Sequence, residues 1–259
     1  MIPENIQLRE NYIYNQVLNG LFDARWVDIV KSTNGRTIRL RVMEDALRID
    51  DVRVNVTAVL AQKLADIFDA SLPTAMVADM MFAAAVRRAA PCPVQISTST
   101  ASMIKHSQSV DKQLKNQGTT GLVATCGKHW VLDKKLESKP QAACNYGWHF
   151  NGSSFQGIKG FSPASSEAGH NVRVIQPNTT GHDALHVDYS QICQLVSQTC
   201  WIDNVEMKFS DILKDPAYAD LVSHQGALNI DRQPGTVPIT GTIVLLPTYI
   251  TIGDSDANV

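Results

Sequence analysis

The sequence predicts an α+β protein with mixed or antiparallel sheets, three to five helices and a β-rich C-terminal half. Three observations carry this expectation. Apolar residues alternate with period two through residues 25–56, with turn residues between the runs. Capped, Ala- and Met-rich segments follow over 57–89 with helical spacing. Beyond a polar helix ending at Gly118, the alternation returns and the remaining chain reads as strands and loops.

The first strands are Trp26 to Val30 and Thr37 to Val42, joined by the turn residues Thr33-Asn34-Gly35, which predict a hairpin. Leu47 to Ile49 and Val52 to Val56, linked through Asp50-Asp51, are expected to extend the same sheet. The Thr57 hydroxyl can accept free amide hydrogens of a first helical turn, and Val59, Leu60, Leu64, Ile67 and Phe68 then recur on one face. Pro73 suits an early helical position, and 74–89 continues to Arg87-Arg88 before Pro91 and Pro93 stop it. Within that segment Met80-Met81-Phe82 reads as core.

A third helix over 99–117 ends at Asn116-Gln117-Gly118, where glycine can adopt the left-handed cap. This marks a boundary between an N-terminal lobe, 1–118, and a β-rich lobe, 119–259; one continuous domain is the alternative. Strands are expected at 121–132, 145–150, 171–176 and 186–201. The Gly-, Ser- and Asn-rich stretch 151–170 reads as a long loop suited to a lid. Asp203-Asn204 is a hairpin turn, Ser210 caps a short helix interrupted by Asp215-Pro216, and an apolar strand runs from Val237 to Ile252.

Composition narrows the function classes. A net charge of -2 with 19% charged residues provides no overall basic field, so nucleic acid is not an expected partner. No apolar run approaches the roughly 18 to 20 residues that span a bilayer, and Ala75 to Ala85 is interrupted by Asp79. Met1 to Asn5 lacks a basic segment followed by an apolar one, so the expected location is cytoplasmic, or the virion if the chain is phage-encoded. The five cysteines include no C-x-x-C and read as reduced thiols packed as small hydrophobes. Glu44-Asp45 and Asp50-Asp51 read as turn and surface charge, and Lys134-Lys135 as a solvated face.

The chemistry concentrates between residues 121 and 190. Of seven histidines, His129, His149, His170, His182 and His186 fall in this window. Alternation in Asn145 to Phe150 places Tyr146, Trp148 and Phe150 on one face and His149 on the other. A strand from His182 would likewise set Leu185, Val187 and Tyr189 against His186, Asp188 and Ser190. Lys128-His129 contributes one side chain to the same region. Three chemistries fit. His149, His182 and His186 could bind zinc or another divalent metal, with Asp188 as a further ligand or orienting group and Lys128 or His129 stabilising an oxyanion. Cys144, or less readily Ser190, could act as nucleophile with a histidine base and Asp188. Finally, half-exposed histidines can serve recognition without catalysis.

Several blocks resemble a bacterial and phage family of uncharacterised proteins: Leu72-Pro73-Thr74 entering a helix, Lys128-His129, Tyr146-Gly147-Trp148-His149, Ile175-Gln176-Pro177, His182 and Asp188-Tyr189-Ser190. Cys144 lies outside these blocks. The ingredients are also distantly similar to metal-dependent peptidoglycan D,D-peptidases, although there a histidine and aspartate precede the Trp-His pair and here Trp148-His149 comes first. The resulting expectation is a hydrolase of an amide or peptide bond, directed at a small-molecule, peptide or glycopeptide substrate such as cell-wall material. The alternative is a non-enzymatic structural or attachment protein of a phage particle, with self-assembly or virion partners.

Overall fold

The computed structural model describes residues 1–95, 97–151, 164–165 and 172–239. The chain opens with α1 (Ile6–Leu18), whose first turn is capped by the Asn5 side chain accepting from Leu8 N at 3.0 Å. Strands β1 (Trp26–Thr33) and β2 (Arg36–Met43) form the expected hairpin, with Asn34 and Gly35 at φ 52° and 76° in its turn. The pair β3 (Arg48–Ile49) and β4 (Val52–Arg53) does not extend that sheet but stands as a separate two-stranded ribbon. The reason lies in Arg53, which is 3% exposed and grips Asp45 at 2.6 and 2.9 Å and Asp111 at 2.6 Å, tying the ribbon to a later helix. Glu44 and Asp45 are not surface charge: Asp45 is partly buried on Arg53, and Glu44 is buried, paired separately with Arg25 at 2.9 Å. Asp50 and Asp51 are exposed, as expected of a turn, and so are Lys134 and Lys135.

The helix α2 (Ala58–Ile67) begins where Thr57 Oγ1 accepts from Leu60 N at 3.1 Å. After β5 (Ala70–Ser71), Thr74 caps α3 (Ala75–Ala84) in the same way, so Pro73 precedes the cap rather than entering the helix. The short β6 (Arg87–Arg88) and then α4 (Thr100–Leu114) follow, the latter capped by Ser99. Beyond Gly118 come β7 (Val123–Ala124), β8 (Lys128–Val131), β9 (Ala142–Asn151), β10 (Ala164–Ser165), β11 (Val172–Asp183), β12 (Gln191–Ile192), β13 (Val196–Ile202) and β14 (Val205–Lys208). A last helix, α5, spans Phe209–Lys214 and has no side-chain cap; Ser210 lies inside it. Asp203 and Asn204 make the β13–β14 turn with φ 50° and 69°. The expected strand 237–252 falls outside the described residues from 240 onward, and so does most of the proposed lid.

Among the described residues the strands form two five-stranded sheets besides short two-stranded pairs. The first has the order β1-β2-β13-β14, with β5 also on β13, and so takes strands from both sides of Gly118. The second has the order β10-β11-β9-β8-β12 and is antiparallel except where β12 runs parallel to β8. The fold is thus α+β, with five α-helices and antiparallel and mixed sheets among the described residues. Gly127 permits the parallel contact: a Cβ there would lie 2.6 Å from the Ser190 carbonyl oxygen, and Lys128 N donates to that same oxygen at 2.7 Å.

The second sheet also contains the irregularity that organises the molecule. Gly147 and Trp148 both have positive φ, 136° and 56°, so alternation along β9 breaks between Tyr146 and His149. Thr125, a β-branched residue at φ 65°, braces the break by donating its hydroxyl to the His149 carbonyl at 2.8 Å. Replacing Gly147 with alanine would impose a side chain on this backbone and set its Cβ 3.3 Å from His129 Cδ2. We expect Gly147→Ala to cost about 1–3 kcal/mol, read as a lower urea midpoint at unchanged slope. An unchanged midpoint would contradict the assignment.

Candidate functional site

The break in β9 overturns the expected partition of its side chains. Tyr146 and His149 share one face, both reaching Asp79 on α3: the Tyr146 hydroxyl donates to Asp79 Oδ1 at 2.8 Å and His149 Nε2 lies 2.7 Å from the same oxygen. Trp148 points the other way, toward His106, Tyr189 and Lys128. Strand pairing extends both sets. His129 faces Tyr146 in the β8–β9 register and joins the α3 side, whereas Lys128, Trp130 and, through Ala143, His182 belong to the opposite side.

On the α3 side, His149 is 2% exposed and stacks on Phe82 with centroids 5.2 Å apart. Asp79 also lies 3.6 Å from His224 Nε2. Burial alone would raise the Asp79 pKa, but hydrogen bonding from His149, His224 and Tyr146 outweighs it and holds the carboxyl at about 2. His129 is buried behind this group, and its pKa is pushed down to about 3 by burial and by His149, with Asp79 opposing. Its Nδ1 has no hydrogen-bond partner among the described residues. Cys144 is fully buried on the same face, packed in one cluster with Tyr146 and with Ala75 and Ala78 of α3, which removes it as an accessible nucleophile.

On the opposite side, Lys128 Nζ and Asp188 Oδ2 form a buried ion pair at 3.2 Å. Residues 186–190 are not the expected strand; they form an irregular segment, and Leu185 is 70% exposed instead of packing inward. The reason is local. Asp188 Oδ1 accepts from Ser190 N at 2.8 Å and from Ser190 Oγ at 2.5 Å, closing a tight turn through the side chain. Ser190 is fully buried and committed to this bond, so it is not an attacking hydroxyl. Burial would raise the Asp188 pKa, yet His186, Lys128 and Ser190 hold it well below the usual carboxylate range. His186 Nε2 stands 4.0 Å from Asp188 Oδ2, and the His182 and His186 rings stack with centroids 4.0 Å apart and planes at 12°. Both rings are half-buried. The pKa of His182 is lowered by burial first, then by His186 and Lys128.

The structure therefore brings together Lys128, His182, His186, Asp188 and Ser190, and separates His129 and His149 from them. His170 lies outside the described residues. The three histidines expected to share a zinc ion do not fit that role as a set. His149 lies across the sheet, and imidazole lone pairs lie in the ring plane, so the nearly parallel His182 and His186 planes do not meet at a point about 2.0 Å from both nitrogens. Among the described residues no three His, Cys, Asp or Glu side chains form a group that could hold a metal ion.

Sequence reasoning missed Asp79, His106 and His224. Asp79 had a signal: it is the lone carboxylate in an otherwise apolar helix. His106, 2% exposed between Trp148 and Tyr189, has its pKa pushed down to about 4, chiefly by burial and then by Arg53. No known protein family, curated protein or solved structure matches the chain.

These shifts make stability depend on pH. The depressed His106 and His129 values keep the folded chain neutral at positions where the unfolded chain takes up a proton below about 6.5, so stability falls on acidification from 6.5 toward 4. Each group contributes a slope of about 1.4 kcal/mol per pH unit. Asp79 adds stability that is complete above about 4 and lost as pH falls toward 2. We expect the unfolding free energy to drop between about pH 6.5 and 4.5 and His106→Phe to flatten that drop. A pH-independent stability over this interval would contradict the neutral, buried state of these rings.

Proposed function

We propose that the Lys128–Asp188–His186–His182 group is the proton-transfer site of a hydrolase acting on an amide or peptide bond. The observation that carries this reading is the stacked, half-exposed imidazole pair set beside a buried lysine–carboxylate pair. Such an arrangement separates roles. His182, with its lowered pKa, is neutral near pH 7 and accepts the proton of a water attacking the carbonyl carbon. His186, beside Asp188, returns a proton to the leaving nitrogen as the C–N bond breaks. Lys128 provides fixed positive charge in a setting of low dielectric, and Ser190 locks the Asp188 carboxylate.

Stem peptides of cell-wall material are the substrate class implied by the distant likeness to D,D-peptidases, and they belong in any substrate panel together with ordinary N-acylated peptides. The purified chain should release water-added fragments from at least one member, detected by mass spectrometry. His182→Gln and His186→Gln should each lower kcat/KM by about 10²–10⁴-fold, and the acid limb of the pH–rate profile should fall below the ordinary imidazole value of about 6.5. Full activity in the double variant, or no cleavage across the panel, overturns the reading.

A further inference from the structure

Helix α3, which covers one side of the second sheet, borders an opening of its own toward β1. A cleft of about 360 Å³ runs between β1 and α3, walled by Ile29, Met76, Met80 and Ala84 and bounded by Asp79, His224 and Lys31. Its size sits at the low end of small-molecule sites. Two sequence features converge here. Asp79 interrupts an otherwise apolar helix. The Thr74 hydroxyl that caps that helix also donates to the Val222 carbonyl, which holds the 222–224 segment and its His224 ring against Asp79.

We propose that this cleft binds a small primary amine, its apolar body against Met76, Met80 and Ile29 and its ammonium group at Asp79 and His224. The walls are aliphatic and thioether, surfaces that accept alkyl chains of varied shape. Charge complementarity selects the head group. Asp79 is 6% exposed and faces the cleft from an apolar helix, so its field acts at low effective dielectric. Lys31, the opposing charge, is only partly buried and more strongly screened by water. The carboxylate therefore dominates over the lysine. This site lies across the sheet from the imidazole pair and does not depend on hydrolysis there.

Isothermal titration with n-hexylamine and with hexanoate, which share one alkyl body, tests the proposal. The amine should bind about ten-fold more tightly than the acid or better. Lys31→Met should strengthen amine binding by removing the opposed charge. Asp79→Asn should weaken it at least about ten-fold. Because Asp79 also holds Tyr146 and His149, the arm that spares the core is Ala84→Phe, at an exposed wall position, which should block the cleft and abolish binding. Hexanoate binding as well as the amine, amine binding that survives Ala84→Phe, or binding of neither probe at millimolar concentration would each overturn it.

Discussion

The left-handed backbone at Gly147 and Trp148 decides which side of the second sheet each polar group occupies. In a regular strand Tyr146 and Trp148 would share a face. Here the chain rotates between Tyr146 and His149, so the tyrosine and histidine both reach Asp79, while Trp148 covers Lys128 and meets His106 and Tyr189 with tilted rings. A conformation this costly for tryptophan persists because its surroundings over-determine it: glycine precedes it, Thr125 holds the next carbonyl, and the Tyr146, Trp148 and His149 side chains are all buried. The outcome is two separate electrostatic centres, back to back across one sheet, each with its own carboxylate.

Helix α3 completes one of these centres and joins it to the first sheet. It packs on β9 through Ala75, Ala78 and Asp79, and it forms the wall opposite β1 through Met76 and Met80. A buried carboxylate in such a helix is tolerable only with partners, and Tyr146, His149 and His224 supply them from two other parts of the chain. The opposite centre follows the same rule: the Lys128 ammonium is compensated by Asp188, and Asp188 in turn by Ser190. In both cases the remaining exposed group is an imidazole, His224 on one side and His186 with His182 on the other.

Much of the secondary structure was legible because it rests on local physics. The Asn34-Gly35 turn, the Thr57 cap and the Asp203-Asn204 turn each depend on a few adjacent residues and came out as read. Helix α1 escaped notice because it buries only Arg9, Ile13 and Val17, leaving a weak apolar stripe. The separation of β3 and β4 from the first sheet and the pairing of Asp45 have a long-range cause, the claim of Asp111 on Arg53 from a helix some sixty residues later, and Glu44 is likewise buried by a distant partner, the Gly121 amide, together with Arg25. Strand parity held for His149 against Trp148 and Phe150 but failed at Tyr146, because only Gly147 marked the break, and it failed at 186–190 because the Asp188–Ser190 turn competes with a strand through side-chain hydrogen bonds. The grouping of Lys128, His182, His186 and Asp188 was legible as a cluster of residue types; the exclusion of His149 from it was not.

The division of the polar residues between two faces is what the rest of the chemistry rests on. Side-chain proton contacts read by nuclear Overhauser spectroscopy on histidine- and aromatic-labelled protein test it most directly. Cross-peaks are expected from the His149 ring to Phe82 and Tyr146, and from the His182 ring to His186 and Trp130, with none between His149 and His186. A cross-peak linking the His149 and His186 rings would place them on one face and contradict it.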